Sequence, residues 1–161
     1  MSDPTTADLI ANAPITQELS TDECAVFSGI VERQTLADNE RLLSEGTQDD
    51  SLHIIVSGRL AVEKDGGVGE AMVLTVLKAG DLAGELGFID GTGHSATLRA
   101  LGETQVVTLH RERFESLLQT HPQIVYKIMR AVVRNVHNVV RRMNAQYVEM
   151  SNYITKAHGR Y

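Results

Sequence analysis

The sequence contains a single cysteine, Cys24, and no apolar run long enough to cross a bilayer. One cysteine excludes an intramolecular disulfide and a cysteine-cluster metal site, so we expect Cys24 to be a buried structural thiol in a reducing compartment. The longest apolar runs, such as Ala71–Leu77, fall far short of the roughly 20 residues that a membrane helix needs. Residues 1–13 also lack a basic stretch followed by an apolar one, the pattern of a secretory signal. We therefore predict a cytoplasmic protein that is neither exported nor inserted in a membrane.

Patterns typical of catalytic and metal-binding sites are missing as well. Glu85 has no obvious carboxylate partner, and no Ser, His and Asp set or Cys and His set stands out for nucleophilic chemistry. A metal site on a β-rich domain would need clustered His ligands. The histidines are instead scattered along the chain, at His53, His94, His110, His121, His137 and His158. We therefore predict a protein that is not an enzyme and that holds no metal or cofactor.

Length and composition are typical of one soluble globular domain spanning residues 1–161, with 42% hydrophobic and 22% charged residues. The net charge of -6 hides an asymmetry, because residues 3–50 are rich in Asp and Glu whereas the C-terminal third is basic. The basic residues there are Lys127, Arg130, Arg134, Arg141, Arg142, Lys156 and Arg160. A basic helix can track nucleic acid, form a solvated face, or lie against the acidic half of its own chain. We favour a solvated face or a contact with the acidic half of the chain over nucleic-acid binding.

The order of periodic patterns along the chain predicts an α+β fold. In residues 1–35, the spacing of Ser20 and Glu23 is that of a capping box, so a short helix should begin there, with Val26, Phe27, Ile30 and Val31 on its packed face. Residues 36–110 contain short β-like runs separated by glycine-containing turns. These runs are Leu52–Val56, Arg59–Glu63, Ala71–Leu77, Thr97–Ala100 and Gln105–Leu109. Short strands at near-regular spacing predict a jelly roll or a barrel.

Residues 111–158 return to a helical period, and after Pro122 no Gly or Pro interrupts it until Gly159. Apolar residues follow in steps of four and three, which is the spacing of a heptad seam. The stripe consists of Val125, Met129, Val132, Val136, Val139, Met143, Gln146, Met150 and Tyr153. It can pack on the β-structure of its own chain or against a second copy. Because so long a helix would overhang a small β-domain, we favour a coiled-coil homodimer.

Residues 80–97, GDLAGELGFIDGTGHSAT, carry the strongest signal of a binding site. They combine a glycine-dense turn, an acidic side chain at Glu85, and small residues nine positions later. Such a turn can cradle a phosphate beside a hydroxyl acceptor. Glycine-rich turns between strands are also often purely structural, so spacing alone leaves both readings open.

Gly84-Glu85-Leu86 followed by Ser95-Ala96 resembles the phosphate-binding cassette of the cyclic nucleotide-binding domain family, as in the sensor domain of catabolite activators. The resemblance runs from about Leu36 onward and includes Glu45-Gly46, Asp50-Ser51-Leu52, Ser57-Gly58-Arg59, Arg113-Phe114 and His121-Pro122. It implies an antiparallel β-roll with flanking helices and a pocket between the roll and the long C-terminal helix. By the same resemblance, Glu85 would hold the ribose 2′-hydroxyl. The amides around Leu86 and Ala96 and the Ser95 hydroxyl would face the cyclic phosphate.

Two departures from the family pattern bear on the ligand. The family places an Arg before the Ser-Ala pair, where this chain has His94, so the permanent charge partner of the phosphate is missing. His94 can donate to a phosphate when it is protonated, or it can be a partly exposed turn residue with no ligand. On the long helix, Val139 and Val140 stand where the family often has hydroxyl residues facing the purine. Asn138, Arg141 and Arg142 are either ligand contacts or ordinary surface residues.

The sequence thus predicts a dimeric regulatory module that signals by binding a cyclic nucleotide, such as cAMP or cGMP, or a related anionic nucleotide. A downstream protein partner would read the change in helix packing. The alternative is an interaction module that keeps the β-roll but binds no small molecule. Catabolite-activator relatives append a helix-turn-helix, and the given sequence ends at Tyr161, so we expect no DNA binding by this chain.

Overall fold

A computed structural model describes residues 4–159 of the chain, and residues 1–3 and 160–161 of the predicted domain lie outside that description. The described elements follow in this order: α1 (Thr6–Ile10), a 3-10 turn (Pro14–Thr16), α2 (Thr21–Ser28), β1 (Val31–Leu36), β2 (Arg41–Leu43), β3 (Ser51–Ser57), β4 (Arg59–Asp65), β5 (Ala71–Lys78), β6 (Leu82–Ala83), α3 (Glu85–Asp90), β7 (Thr97–Ala100), β8 (Thr104–His110), α4 (Arg111–Thr120) and α5 (Pro122–His158). None of these helices combines the length and hydropathy of a transmembrane span.

The strands form two antiparallel four-stranded sheets, which confirms the predicted α+β fold with an antiparallel β-roll. One sheet has the order β1-β8-β3-β6 and the other the order β2-β7-β4-β5. In the first sheet the inner strand β3 is buried on both faces, because Leu52 and Ile54 contact the helices while Ile55 points between the sheets. This two-sided burial explains the continuous apolar run in β3.

Both N-terminal helices begin with a capping box, in which an N-cap hydroxyl and a carboxylate three residues later satisfy backbone amides. The box at Ser20 and Glu23 confirms the predicted helix start, and a second box at Thr5 and Asp8 begins α1. The predicted packed face of α2 was partly wrong, since the helix ends at Ser28. Its most buried member, Phe27, does pack into the core.

The predicted boundary between the helical segment 1–35 and the β-roll was also wrong. Val31–Leu36 forms β1 and pairs along its whole length with β8, from Val31 opposite Leu109 to Leu36 opposite Thr104. The roll therefore begins at Val31. Cys24 differs from its prediction as well, because it is only partly buried at the edge of the core, where burial raises the pKa of its thiol.

The apolar stripe on α5 divides into two parts. Val132 is fully buried in the core of its own chain, and Val125 and Met129 pack against that core. The assignment of Val132 to a dimer interface was therefore wrong, and the intramolecular alternative holds for this residue. Val125 and Met129 are half-buried, and their place in an interface stays a prediction. Farther along α5 the apolar side chains are exposed, among them Val136, Met143 and Met150.

The basic face of α5 lies partly against the acidic N-terminal segment. Lys127 Nζ is 2.7 Å from a Glu23 carboxylate oxygen, and Arg134 is 2.6 Å from Glu18. Arg130 lies 3.6 Å from the same Glu18 side chain. This arrangement matches the predicted alternative in which the basic helix contacts the acidic half of its own chain.

Candidate functional site

All six residues predicted to bind a ligand line one cavity of about 560 Å³, here called the cassette cavity. They are Gly84, Glu85, Leu86, His94, Ser95 and Ala96. The opposite walls come from Thr75 and Leu77 of β5 and from Val139 and Met143 of α5. The cavity thus lies between the β-roll and the long helix, as the sequence resemblance implied.

Two glycines allow α3 to sit tightly against the start of β3. Gly84 has a φ of +82°, and a Cβ there would lie 2.7 Å from the carbonyl oxygen of Ser51. At Gly87 a Cβ would lie 2.5 Å from the carbonyl oxygen of Asp49. Any larger residue would push α3 away from β3, because backbone atoms cannot give way as a flexible side chain can. The position of Glu85 therefore depends on both glycines.

Glu85 is the acidic group of the cassette cavity. Burial raises the pKa of its carboxyl, the nearby charge of Asp81 raises it further, and a hydrogen bond from the Glu85 amide opposes both effects. A hydroxyl of a ligand that donated to this carboxylate would stabilise its ionised form. Its placement is consistent with the predicted role as an acceptor for a sugar hydroxyl.

His94 forms part of the cavity wall, but its imidazole is turned toward Asp49. The side chain is only 6% exposed, and its Nε2 lies 4.0 Å from the Asp49 Oδ2. That nitrogen is buried without a hydrogen-bond partner among residues 4–159. His94 as a whole residue is partly exposed, and no contact assigns its imidazole to a phosphate, so the turn residue with no ligand and the phosphate contact both stay predictions.

Asp49 and His53 form a polar cluster behind the cassette that sequence reasoning missed. His53 is buried, with Nδ1 2.9 Å from the Thr108 hydroxyl and Nε2 3.2 Å from Asp49 Oδ2. Burial raises the pKa of Asp49, but hydrogen bonds from Ser51 and His53 outweigh it and the net shift is downward. Burial lowers the pKa of His53 despite the neighbouring carboxylate. At neutral pH the pair is therefore an ionised Asp49 beside a neutral His53.

Permanent cations are absent from the described lining of the cassette cavity, which is mostly apolar. Ser95 is exposed, and the Lys64 ammonium reaches only its backbone carbonyl, at 3.4 Å. On α5, Val139 lines the cavity as expected, whereas Val140 does not and is exposed. Asn138 and Arg142 line a different cavity, so the idea that they reach a ligand in this one is not supported. No group of three or more His, Cys, Asp or Glu side chains within the described part of the chain could hold a metal ion.

Comparison with known proteins identifies the class of this domain. The family model for the cyclic nucleotide-binding domain matches residues 33–121, which include both parts of the cassette. The chain therefore belongs to the cyclic nucleotide-binding domain family. Its fold is that of a ligand-sensing regulatory domain.

Curated relatives carry a similar segment inside much longer proteins. An uncharacterised NTE family protein of Mycobacterium tuberculosis (strain ATCC 25618 / H37Rv) is 32% identical over 126 residues, which cover 78% of this chain and 21% of that protein. Lysophospholipase NTE1 of Coccidioides immitis (strain RS) is 30% identical over 96 residues, which cover 60% of this chain and 6% of the enzyme. The chain thus spans about a fifth or less of the length of these relatives.

Solved structures share the fold. A cyclic nucleotide-binding domain from Methylobacillus flagellatus KT has a TM-score of 0.79 at 22% identity, with 85% of this chain and 80% of that one covered. cAMP-bound PfPKA-R has a TM-score of 0.68 at 26% identity, with coverages of 87% and 45%. The regulatory subunit of a cAMP-independent protein kinase A from Trypanosoma brucei has a TM-score of 0.68 at 19% identity, with coverages of 91% and 50%.

Proposed function

We propose that this chain is a non-catalytic sensor module that binds a cyclic nucleotide, cAMP or cGMP, or a related anionic nucleotide in the cassette cavity. The observation that carries the proposal is the convergence of the predicted residues from two separate segments, 84–86 and 94–96, on one cavity that α5 closes. Its volume of about 560 Å³ falls within the usual range for small-molecule sites. The similarity to cAMP-bound PfPKA-R supports the same ligand class.

Glu85 would accept a hydrogen bond from the ribose, and the Ser95 hydroxyl and cassette amides would face the phosphate. Because the described lining has no Lys or Arg, the phosphate would lack a forked cationic donor. A charge-assisted contact of that kind contributes about 1.5–3 kcal/mol, so affinity should be lower by roughly ten- to a hundredfold than with an Arg. The protein would then respond only to a high concentration of cyclic nucleotide.

The signal would leave the cavity through α5. Val139 and Met143 line the cassette cavity, and the helix continues from them into its exposed apolar part. A ligand that contacts these two residues would favour one packing of α5 over another. In a homodimer formed through the exposed part of α5, that change would alter the relative orientation of the two copies. A partner protein would bind one orientation better than the other.

The second candidate is an interaction module whose pocket binds no nucleotide. The observation that favours it is the orientation of His94, which is buried toward Asp49. The Trypanosoma brucei neighbour is itself described as part of a cAMP-independent kinase, so the fold alone does not require cAMP. The two candidates differ in whether the cassette cavity binds a cyclic nucleotide.

Calorimetric titration with cAMP and with cGMP separates the candidates. We expect weak binding by the unmodified protein, and a gain of about tenfold or more in His94→Arg, because a guanidinium forks onto phosphate. Asp49 can compete for the new Arg, so the same substitution is also made in an Asp49→Asn background.

Adding Glu85→Ala to His94→Arg should weaken the gained binding again, because the ribose would lose its acceptor. Glu112→Ala on α4, an exposed carboxylate far from the cavity, is the matched control and should change nothing. Absence of heat with either nucleotide in both His94→Arg proteins, shown to be folded by circular dichroism, would favour the interaction module.

A further inference from the structure

A second cavity of about 440 Å³ lies next to the cassette cavity, between the 3-10 turn, the β5–β6 turn and α5. We call it the α5 cavity. Its polar lining includes Lys78, Asp81, Arg134, Asn135, Asn138 and Arg142, and its apolar floor consists of the buried residues Ile15, Leu82 and Ala131. We propose that the α5 cavity binds a small phosphorylated compound that also carries hydroxyl groups, such as a nucleoside or sugar monophosphate.

The charge of the α5 cavity favours a doubly negative ligand. Three cationic side chains line it against one carboxylate, that of Asp81. Arg134 is paired with Glu18, but Lys78 and Arg142 form no salt bridge within residues 4–159. Most other long cations near the helices do have a carboxylate partner, as Lys127 has in Glu23. Two uncompensated cations facing one concave surface form a typical phosphate-binding arrangement.

The side-chain amides on α5 can form hydrogen bonds to hydroxyl groups of the ligand. The Oδ1 atom of Asn135 is buried and has no hydrogen-bond partner in the described part of the chain. Asn135 lines the α5 cavity, and buried polar atoms are nearly always paired, so a rotation of this amide toward the cavity would give its oxygen a donor on the ligand. Asn138 lies one turn away and lines the same cavity. A hydroxyl of a sugar would donate to Asn135 while the phosphate contacts Arg142 and Lys78.

The α5 cavity shares walls with the cassette cavity, although the existence of the site does not rest on nucleotide binding there. Leu82 lines both cavities, and α5 contributes to both, through Asn138 and Arg142 in the α5 cavity and through Val139 and Met143 in the cassette cavity. Asp81, in the turn that lines the α5 cavity, also raises the pKa of Glu85 in the other one. A ligand in the α5 cavity would fix the β5–β6 turn against α5 and so act on the cassette.

The test is a titration of ¹⁵N-labelled protein with adenosine 5′-monophosphate and, separately, with inorganic pyrophosphate. We expect saturable amide shifts at Ile15–Gln17, Lys78–Leu82 and residues 134–142, with dissociation constants at or below about 1 mM. The double variant Lys78→Gln/Arg142→Gln should weaken both probes at least tenfold. Arg141→Gln with Lys64→Gln removes the same charge from exposed residues that do not line the cavity, and it should leave both affinities within twofold.

The variant Asn135→Ala tests the contact to the ligand hydroxyl separately from the contact to the phosphate. It should weaken adenosine 5′-monophosphate about fivefold or more and leave pyrophosphate unchanged, because only the nucleotide carries hydroxyl groups. Amide shifts that do not saturate, or an equal loss of affinity in the lining variant and the control variant, would mean that the probes are held only by general charge attraction. Either result would overturn the proposal. Shifts centred on Gly84–Ala96 would place the probe in the cassette cavity and overturn it as well.

Discussion

His53 is a titratable side chain buried in an otherwise apolar strand, between Leu52 and Ile54. Its imidazole is held between the Thr108 hydroxyl and the Asp49 carboxylate, which itself lies close to the cassette through His94. Burial keeps it neutral, so the cluster is assembled around one negative charge and one neutral ring. The packing of the cassette against β3 therefore includes a group that acid can charge.

We predict that this group makes the domain sensitive to mild acid. The pKa of His53 is lowered in the folded state, so the unfolded chain binds more protons below the ordinary histidine value. Stability should be fully present above about pH 7 and should fall as pH drops through about 6.5 toward the lower pKa of the folded state. Urea unfolding between pH 8 and pH 5 measures this effect.

In His53→Gln, the titrating group is gone while an amide can still contact Thr108. We expect about 1–2 kcal/mol lower stability at pH 7.5, from the imperfect hydrogen bonds, and a flatter dependence on pH below 7. His137→Gln, at an exposed residue in the middle of α5, serves as the matched control. An unchanged slope in His53→Gln would contradict the assignment.

The chemistry of the cassette could be predicted from sequence, whereas its surroundings could not. Glu85 and Ser95 lie within one short segment, so their spacing carried the signal. Asp49 contacts His94 across 45 positions, and nothing in the local pattern indicates that contact. The one available sign was His53 itself, a polar residue in a buried apolar strand, where an unpaired side chain would be costly.

At the scale of elements, strand length and burial pattern together decided which strands could be predicted from the sequence. The strands β3, β4, β5, β7 and β8 were predicted nearly at their observed bounds. β1 was missed because only its ends, Val31 and Leu36, are buried, so its four inner residues give no apolar pattern. β2 and β6 have three and two residues, too few for any period to appear.

The apolar stripe on α5 keeps one spacing along the sequence but lies in two different environments. Its first part packs into the core through Val132, while in its later part Met143 is 61% exposed and Met150 is 57% exposed. A heptad seam and an intramolecular packing face have the same spacing, so sequence alone could not divide them. Contiguous exposed apolar side chains of this kind usually mark an interaction site.

We predict that the exposed part of α5 forms a homodimer. The double variant Val136→Asp/Met150→Asp would place like charges in the seam. The dissociation constant of the dimer should rise at least a hundredfold, because each buried unpaired charge costs several kcal/mol. Val148→Asp, at a 56% exposed residue about half a turn away from the stripe, is the matched control and should not change assembly. Sedimentation velocity measures the three proteins at micromolar concentration. A monomeric unmodified protein would contradict the dimer.

At the scale of the whole molecule, the acidic N-terminal segment and the basic start of α5 are held together. Glu18 and Glu23 contact three cations of α5, so this face carries little uncompensated charge. Exposed ion pairs of this kind stabilise a fold by only about 0–1 kcal/mol each. Their larger effect is on the electrostatic surface that a polyanion would meet.

We therefore predict that this chain does not bind duplex DNA at physiological salt. Non-specific affinity depends on how many phosphates the protein neutralises, and Glu18 and Glu23 together offset two of the three charges of Lys127, Arg130 and Arg134. Glu18→Gln/Glu23→Gln would release these cations and should produce weak binding that disappears as salt rises. Glu103→Gln/Glu112→Gln, at two exposed carboxylates that form no salt bridge within residues 4–159, makes the same change in net charge and should not. Fluorescence anisotropy of a labelled 20-base-pair duplex at several salt concentrations measures all three proteins. Submicromolar, salt-sensitive binding by the unmodified chain would contradict the prediction and identify the basic residues of α5 beyond Arg134 as a nucleic-acid contact.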